Sequence, residues 1–421
     1  MSQQDPRPFV SGITYWPRRK GLRWWEAFDR SEVCDELAHI AALGFQSVRF
    51  GLRWEDFQPT SGKVNTYAFR AFEQALDAAN EVKLQVVVTL FPLTLQGGMH
   101  IPDWVSWPNP IHELQQLRRF GKPVTVSPAT LSPVIYKWGY HYTPSQDIFG
   151  DAAIRDAQTY FLHELVGYFG SHPDILAWQL GEGLEYLRKP DTIETVRQWY
   201  TVIVTTIREY SRIPIWGTTS IRGLTLQVGP RPEYLAELCD AVALSLDQGM
   251  LLREKALDPV AVLFLHHLTT TLAGTFVHIV GLGQATKPDH TGSWERDVAF
   301  GQSLNAYLST YEEQAHYIDY VLSELQRVGA PGVWLSDYAD YTEDVQRIPS
   351  LDKTIYARTR GLIDQKGNEK PLASTVKTFI ASEPQTCEIT STSFLDIDVE
   401  RYWYNPQAEF KRLWQVFQNE H

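Results

Sequence analysis

Short apolar runs alternate with longer amphipathic segments along most of the chain, which is the pattern of strands interleaved with helices in a parallel sheet. FVSGITYW reads as a first strand, SEVCDELAHIAALG as a helix with Ser31 as N-cap and Gly44 at its end, and FQSVRFG as a second strand. FRAFEQALDAANEV is a second helix and LQVVVTLF a third strand. The Pro- and Trp-rich stretch from Pro92 to about Gly150 is too long for an ordinary connection, and long loops in barrels usually carry function. A helix over 151–169 precedes ILAWQLG as strand four. The alternation continues through IPIWGTTS, DAVALSL and FVHIVGLG as strands five to seven, and ends on GVWLSDY as strand eight.

Eight strands with eight intervening or closing helices predict an α/β protein of the (β/α)8 TIM-barrel type. An open Rossmann sheet fits less well, because no GxGxxG follows the first strand. The barrel is expected to occupy residues 1–382, with 383–421 as a C-terminal extension packed on it. The length of 421 residues is compatible with one such domain carrying insertions.

Composition narrows the partner. The net charge of −12, from 50 acidic against 38 basic residues, disfavours nucleic acid or an anionic membrane, and a neutral ligand fits better. Aromatic residues make up 13% of the chain, enough for a core with rings left over for a cleft. Cys34, Cys239 and Cys387 are scattered and odd in number, so they predict neither a disulfide framework nor a zinc cluster. No basic segment followed by an apolar run opens the chain and no apolar stretch reaches about 18 residues, so the expectation is a cytoplasmic protein.

In a barrel of this kind the ligand sits at the C-terminal ends of the strands. The opening YWPRRKGLRWWEAFD, the second-strand block VRFGLRWEDFQPTSGKV, and the closing YADY with RGLIDQKGNEKPLA resemble a bacterial branch of the cellulase-like, family 5 glycoside hydrolases of clan A. The likeness runs from about Phe9 to the C-terminal tail. It implies hydrolysis of β-glycosidic bonds with retention, which needs two carboxyl groups about 5 to 5.5 Å apart, one as nucleophile and one as acid then base.

This chain departs from that pattern where it matters most. Where the family's strand-four motif reads Trp, any residue, Leu, Gly, Asn, Glu, this chain has Trp178, Gln179, Leu180, Gly181, Glu182, Gly183. The resemblance therefore puts Glu182 at the Asn position and Gly183 at the acid/base position. Strand seven supplies Gly281, Leu282, Gly283 in place of the family's Glu, apolar residue, Gly, and no carboxylate lies between Asp258 and Asp289. Ser245 stands where the family commonly has a strand-six His, and Ser336 where it has a strand-eight Trp.

Arg49 matches an arginine that supports the family's nucleophile. It is a candidate ligand contact, and a structural ion pair at the barrel mouth accounts for it equally well. Glu182 reads as a displaced general acid, a ligand hydrogen-bond partner, or a partner of Arg49. Asp247, Asp337 and Asp340 are candidates for a second carboxylate by strand position. Trp54, Trp104, Trp107, Trp178 and Trp334 offer aromatic faces to a sugar, or simply core. His141 and Tyr142 are candidates to face the cleft, and His266 and His267, adjacent on a helix, do not make a metal site.

No cofactor or metal is expected. The sequence thus reads as a glycoside-hydrolase-like barrel, a pseudo-glycosidase that binds a carbohydrate or glycoside. Two alternatives stand beside it: an active O-glycosyl hydrolase acting on β-glycosides with Glu182 as displaced acid/base, and a non-enzymatic partner-binding scaffold.

Overall fold

The computed structural model describes residues 7–105, 132–143, 147–247, 256–288, 291–386 and 397–420. Its central strands are β1 (Val10–Thr14), β2 (Ser47–Gly51), β3 (Gln85–Pro92), β4 (Ile175–Glu182), β5 (Ile215–Ser220), β6 (Ala241–Ser245), β7 (Val277–Leu282) and β8 (Gly332–Leu335). They close into one parallel barrel in the order β5-β6-β7-β8-β1-β2-β3-β4. Almost every residue in them is buried, because helices cover the outer face and side chains fill the inner one, which is why the strands are mainly apolar at their N-terminal ends.

The covering helices are α1 (Arg30–Ala42), α2 (Thr66–Glu81), α3 (Ala152–Phe169), α4 (Ile193–Tyr210), α5 (Pro232–Leu238), α6 (Pro259–Ala273), α7 (Tyr311–Arg327) and α8 (Pro371–Ala381). Local chemistry starts them: Asn65, Asp151, Thr192 and Asp258 each accept a backbone N–H at a helix start, and Thr310 with Glu313 forms a reciprocal capping box on α7. At α1 the cap is Asp29, whose carboxylate accepts from the Ser31 and Glu32 amides, and not Ser31. Both side chains can cap, and the helix begins at the earlier one.

A barrel strand turns alternate residues inward. Val87, Ala177, Trp216, Ala243, Val280 and Trp334 make a separate apolar cluster, and the Trp334 indole N–H donates to Ser47 Oγ at 3.1 Å. Nearer the C-terminal ends of β1–β5, polar side chains (Thr14, Arg49, Thr89, Gln179 and Thr218) meet one another instead.

Two features were not foreseen in the sequence. A hairpin of strands Ser293–Ala299 and Gln302–Leu308 follows β7, and its tip reaches back over the barrel mouth, where the Phe300 amide donates to the Gly97 carbonyl at 2.6 Å. Two further helices, α9 (Val399–Tyr404) and α10 (Pro406–Glu420), end the chain, and α10 stacks Phe410, Trp414 and Phe417 on Phe264 of α6 with ring centroids 5.2–5.5 Å apart. Cys34 and Cys239 are free half-buried thiols, and Cys387 lies outside the described residues. Among the described residues no helix is long and apolar enough to cross a membrane.

Candidate active site at the barrel mouth

The register of β1–β4 sets the site. Arg49 pairs with Thr14 on one side and Val87 on the other, while Thr89 pairs with Gln179, which lines up their inward side chains around the guanidinium. Arg49 Nε donates to Thr89 Oγ1 at 3.1 Å and Gln179 Oε1 at 2.9 Å, and its Nη1 donates to Thr14 Oγ1 at 3.0 Å. Its remaining nitrogen, Nη2, pairs with Glu182 Oε2. Glu182 is 1% exposed, and its other oxygen accepts from Ser245 Oγ at 2.7 Å.

Asp247, just beyond β6, completes the group. Its Oδ2 lies 3.5 Å from Arg49 Nη1, and its Oδ1 accepts from Arg360 Nη1 at 3.2 Å and Ser336 Oγ at 2.8 Å. Asp247 and Glu182 thus share the Arg49 guanidinium, Asp247 facing Nη1 and Glu182 paired with Nη2, and each alters the other's proton affinity. Carboxyls this close titrate as a pair. Burial pushes Glu182 up to about 8, further than Arg49 draws it back, and the neighbouring Asp247 charge adds to the rise. Burial acts on Asp247 in the same sense, but Arg360 and then Arg49 outweigh it and hold that carboxyl below the usual range. Proton affinity is therefore raised at Glu182 and lowered at Asp247. Asp337 stands next to them, its Oδ2 accepting from Arg360 Nη2 at 3.0 Å, with burial raising its pKa.

The two glycines singled out in the sequence are both left-handed, with φ of 68° at Gly183 and 78° at Gly281. A Cβ on Gly183 would fall 2.1 Å from Thr94 Oγ1, and one on Gly281 would fall 2.6 Å from the Asp247 carboxyl carbon. The Asp247 carboxylate thus lies where the first atom of a residue-281 side chain would go.

What remains open is small. A cavity of about 20 Å3 is bordered by Arg49, Glu182, Asp247, Asp337 and Arg360 and walled by Trp16 and Phe300. That is room for roughly one ordered water.

The other candidates lie elsewhere. Trp178 sits between inward-facing Ala177 and Gln179, so it points out of the barrel into the helix layer, fully buried, and its indole donates to Ser211 Oγ at 3.1 Å. It belongs to the core and not to the cleft. Trp54 is buried as well, donating to Gln58 Oε1 at 2.6 Å and packed edge-on against Phe91 and Trp104, whose own indole donates to the Gln58 carbonyl at 3.0 Å. Neither borders the cavity. Trp334 fills the barrel interior. Asp340 is occupied by Lys370 Nζ at 2.7 Å and the Gly361 amide at 2.9 Å, an ion pair that pins the loop after β8.

His141 stacks on Tyr136, and His266 and His267 are buried on α6. Trp107 and the Tyr142 side chain lie outside the described residues. Among the described residues no cluster of three or more His, Cys, Asp or Glu could hold a metal ion. Sequence reasoning missed Arg360, the partner of both Asp247 and Asp337, although it opens the RGLIDQKG block. It also missed Phe300, in a hairpin with no motif.

With this geometry in hand, comparison with known proteins gives the fold. No protein-family model and no curated protein sequence matches the chain. Solved structures do match it. A GH5_18 protein from Streptomyces cattleya in complex with Manβ1-4GlcNAc superposes with a TM-score of 0.73 at 16% identity, over 98% of this chain and 92% of that one. A GH5_18 protein from Bifidobacterium longum subsp. longum, in complex with the same disaccharide, gives 0.67 at 15% identity, over 89% and 78%. An exo-beta-1,4-mannosidase from an Opitutaceae bacterium gives 0.66 at 18% identity, over 90% and 60%. The chain has the (β/α)8 barrel fold of these proteins.

Proposed function

We propose that this protein is a glycoside-hydrolase-like barrel that does not cleave β-glycosides by the retaining route, and that its mouth recognises a saccharide through Arg49, Glu182, Asp337 and Arg360. The observation that carries this reading is that Glu182 and Asp247 both close on the Arg49 guanidinium around a cavity of about 20 Å3. A retaining hydrolase needs its carboxyls about 5 to 5.5 Å apart, flanking the anomeric carbon. A cavity with room for about one water leaves no place for that carbon between these two. The family's own two positions correspond, on the resemblance, to Gly183 and Gly281, and Thr94 and Asp247 fill the adjoining space.

A second reading is favoured by the same pair. Environments that drive two carboxyls apart in proton affinity are how an acid and a base are assigned in one site. A protonated Glu182 as donor, with charged Asp247 as the base for a water, would give an active O-glycosyl hydrolase if the mouth opened and the pair separated.

Turnover of aryl β-glycosides with activated leaving groups decides between them. The first reading expects none above buffer, with or without azide, which could stand in for a nucleophile beside Gly281. Turnover abolished by Glu182→Gln would overturn it and establish the second. Recognition is tested by thermal unfolding with GlcNAc and Manβ1-4GlcNAc, sugars bound in the Streptomyces and Bifidobacterium structures. A ligand at about 100 times its Kd stabilises by about 2.7 kcal/mol. No shift with these or any other glycan favours the partner-binding scaffold.

A further inference from the structure

A second and much larger cavity, about 410 Å3, lies behind the ends of β6 and β7, between α6 and the C-terminal α10. Close-packed interiors leave few voids larger than a water. This one falls within the roughly 300–1,000 Å3 typical of small-molecule sites.

Its walls are apolar on two sides. Leu246 and Leu282 come from the strand ends, Val262 and Leu265 from α6, and Phe410 and Trp414 from α10. Phe410 and Trp414 are only half-buried, so the rings that clamp α10 to Phe264 also leave apolar area uncovered on the cavity side. The rim is polar and uneven in charge. Asp258 spends its carboxylate on the α6 N-terminus, accepting from the Ala261 amide at 3.3 Å. Gln407, Lys411 and Gln418 present a cation and two amides, and Lys411 is exposed and pairs with no carboxylate among the described residues.

An apolar interior with one exposed ammonium, Lys411, at its rim and the Asp258 carboxylate turned to the α6 N-terminus is complementary to an amphiphile with a hydrocarbon body and an anionic head. We propose that this cavity binds a medium-chain carboxylate or a comparable anionic amphiphile, with the chain against Val262, Leu265 and Trp414 and the head at Lys411. The site is separate from the barrel mouth, and the proposal does not rest on the saccharide reading. The two meet at the ends of β6 and β7: Leu246 lines this cavity while the next residue, Asp247, lines the mouth, and the Gly281 backbone borders this cavity while a side chain there would face Asp247.

The test uses the full chain and two probes. Anilinonaphthalene sulfonate, an aromatic body with an anionic head, is expected to show saturable single-site fluorescence enhancement that dodecanoate displaces. Ala261→Trp places an indole in the cavity and is expected to weaken both by about tenfold or more, which corresponds to about 1.4 kcal/mol. Lys411→Glu, at an exposed position, is expected to weaken dodecanoate about tenfold while leaving dodecanol unchanged, since only the former carries a charge.

Non-saturable binding overturns the proposal, as does unchanged binding in a folded Ala261→Trp protein. If Ala261→Trp does not fold, the Lys411→Glu comparison decides, and equal effects on acid and alcohol count against the site. A dimer in gel filtration that excludes both probes would show that a second copy of the chain fills the cavity instead.

Discussion

Arg49 and Arg360 grip the Asp247 carboxylate by different oxygens, Arg360 Nη1 at 3.2 Å from Oδ1 and Arg49 Nη1 at 3.5 Å from Oδ2. Two buried cations on one buried anion favour the charged form of Asp247, while burial favours the proton on Glu182.

That arrangement sets a pH dependence. Glu182 is raised from an ordinary 4.5 to about 8, so between those values the folded chain holds a proton that the unfolded chain has lost. Stability contributed by this group is therefore largest at low pH and declines as pH rises toward 8. Urea unfolding at a series of pH values is expected to show a shallower decline for Glu182→Gln than for the parent. At pH 9, where the parent must carry a buried charge there, the variant gains relative to its standing at pH 6. A parallel pair of curves would mean that Glu182 is ionised throughout.

Removing Arg360 strands one carboxylate and loosens another. Arg360→Met leaves Asp337 buried without its ion-pair partner and Asp247 with Arg49 alone, and breaking a buried pair from one side costs about 3–5 kcal/mol. The urea midpoint should fall accordingly. Arg360→Met with Asp337→Asn should recover part of the loss, because the stranded carboxylate is then neutral.

Gly281 is expected to reject any side chain. With φ at 78° and Asp247 within 2.6 Å of the would-be Cβ, Gly281→Ala combines backbone strain of about 1–3 kcal/mol with a clash against a tethered carboxylate. Gly281→Ala in an Asp247→Gly background should cost less than in the parent, in a double-mutant cycle read by thermal unfolding. Additivity would show that the two positions do not meet.

Trp178→Ala separates core from cleft. The loss of a fully buried Trp costs about 3–5 kcal/mol, and here Ser211 also loses a partner. The variant should unfold earlier while keeping the parent's response to saccharides at a temperature where both are folded.

The barrel was legible because its strands are runs of Val, Ile and Leu buried on both faces, separated by helices with strong caps, and this pattern does not depend on knowing which strands pair. The site was only partly legible. Arg49 and Glu182 were singled out through the resemblance, and Asp247 by its position after a predicted strand. That all three meet at one guanidinium was hidden, since it arises from the register of strands far apart in sequence. For Trp178 both cleft and core were left open, although simple alternation along β4 already turned it outward. Arg360 and Phe300 sit in loops, where no periodicity indicates which way a side chain points.

The hydrogen bond from the Phe300 amide to Gly97 joins the loop after β7 to the loop after β3, two strands that are not neighbours in the barrel. It acts as a crossbar over the opening. A rim tied from side to side cannot dilate at one edge alone, so admission of anything larger than water requires both loops to give way together, and the strength of one backbone bond helps to set how often that happens.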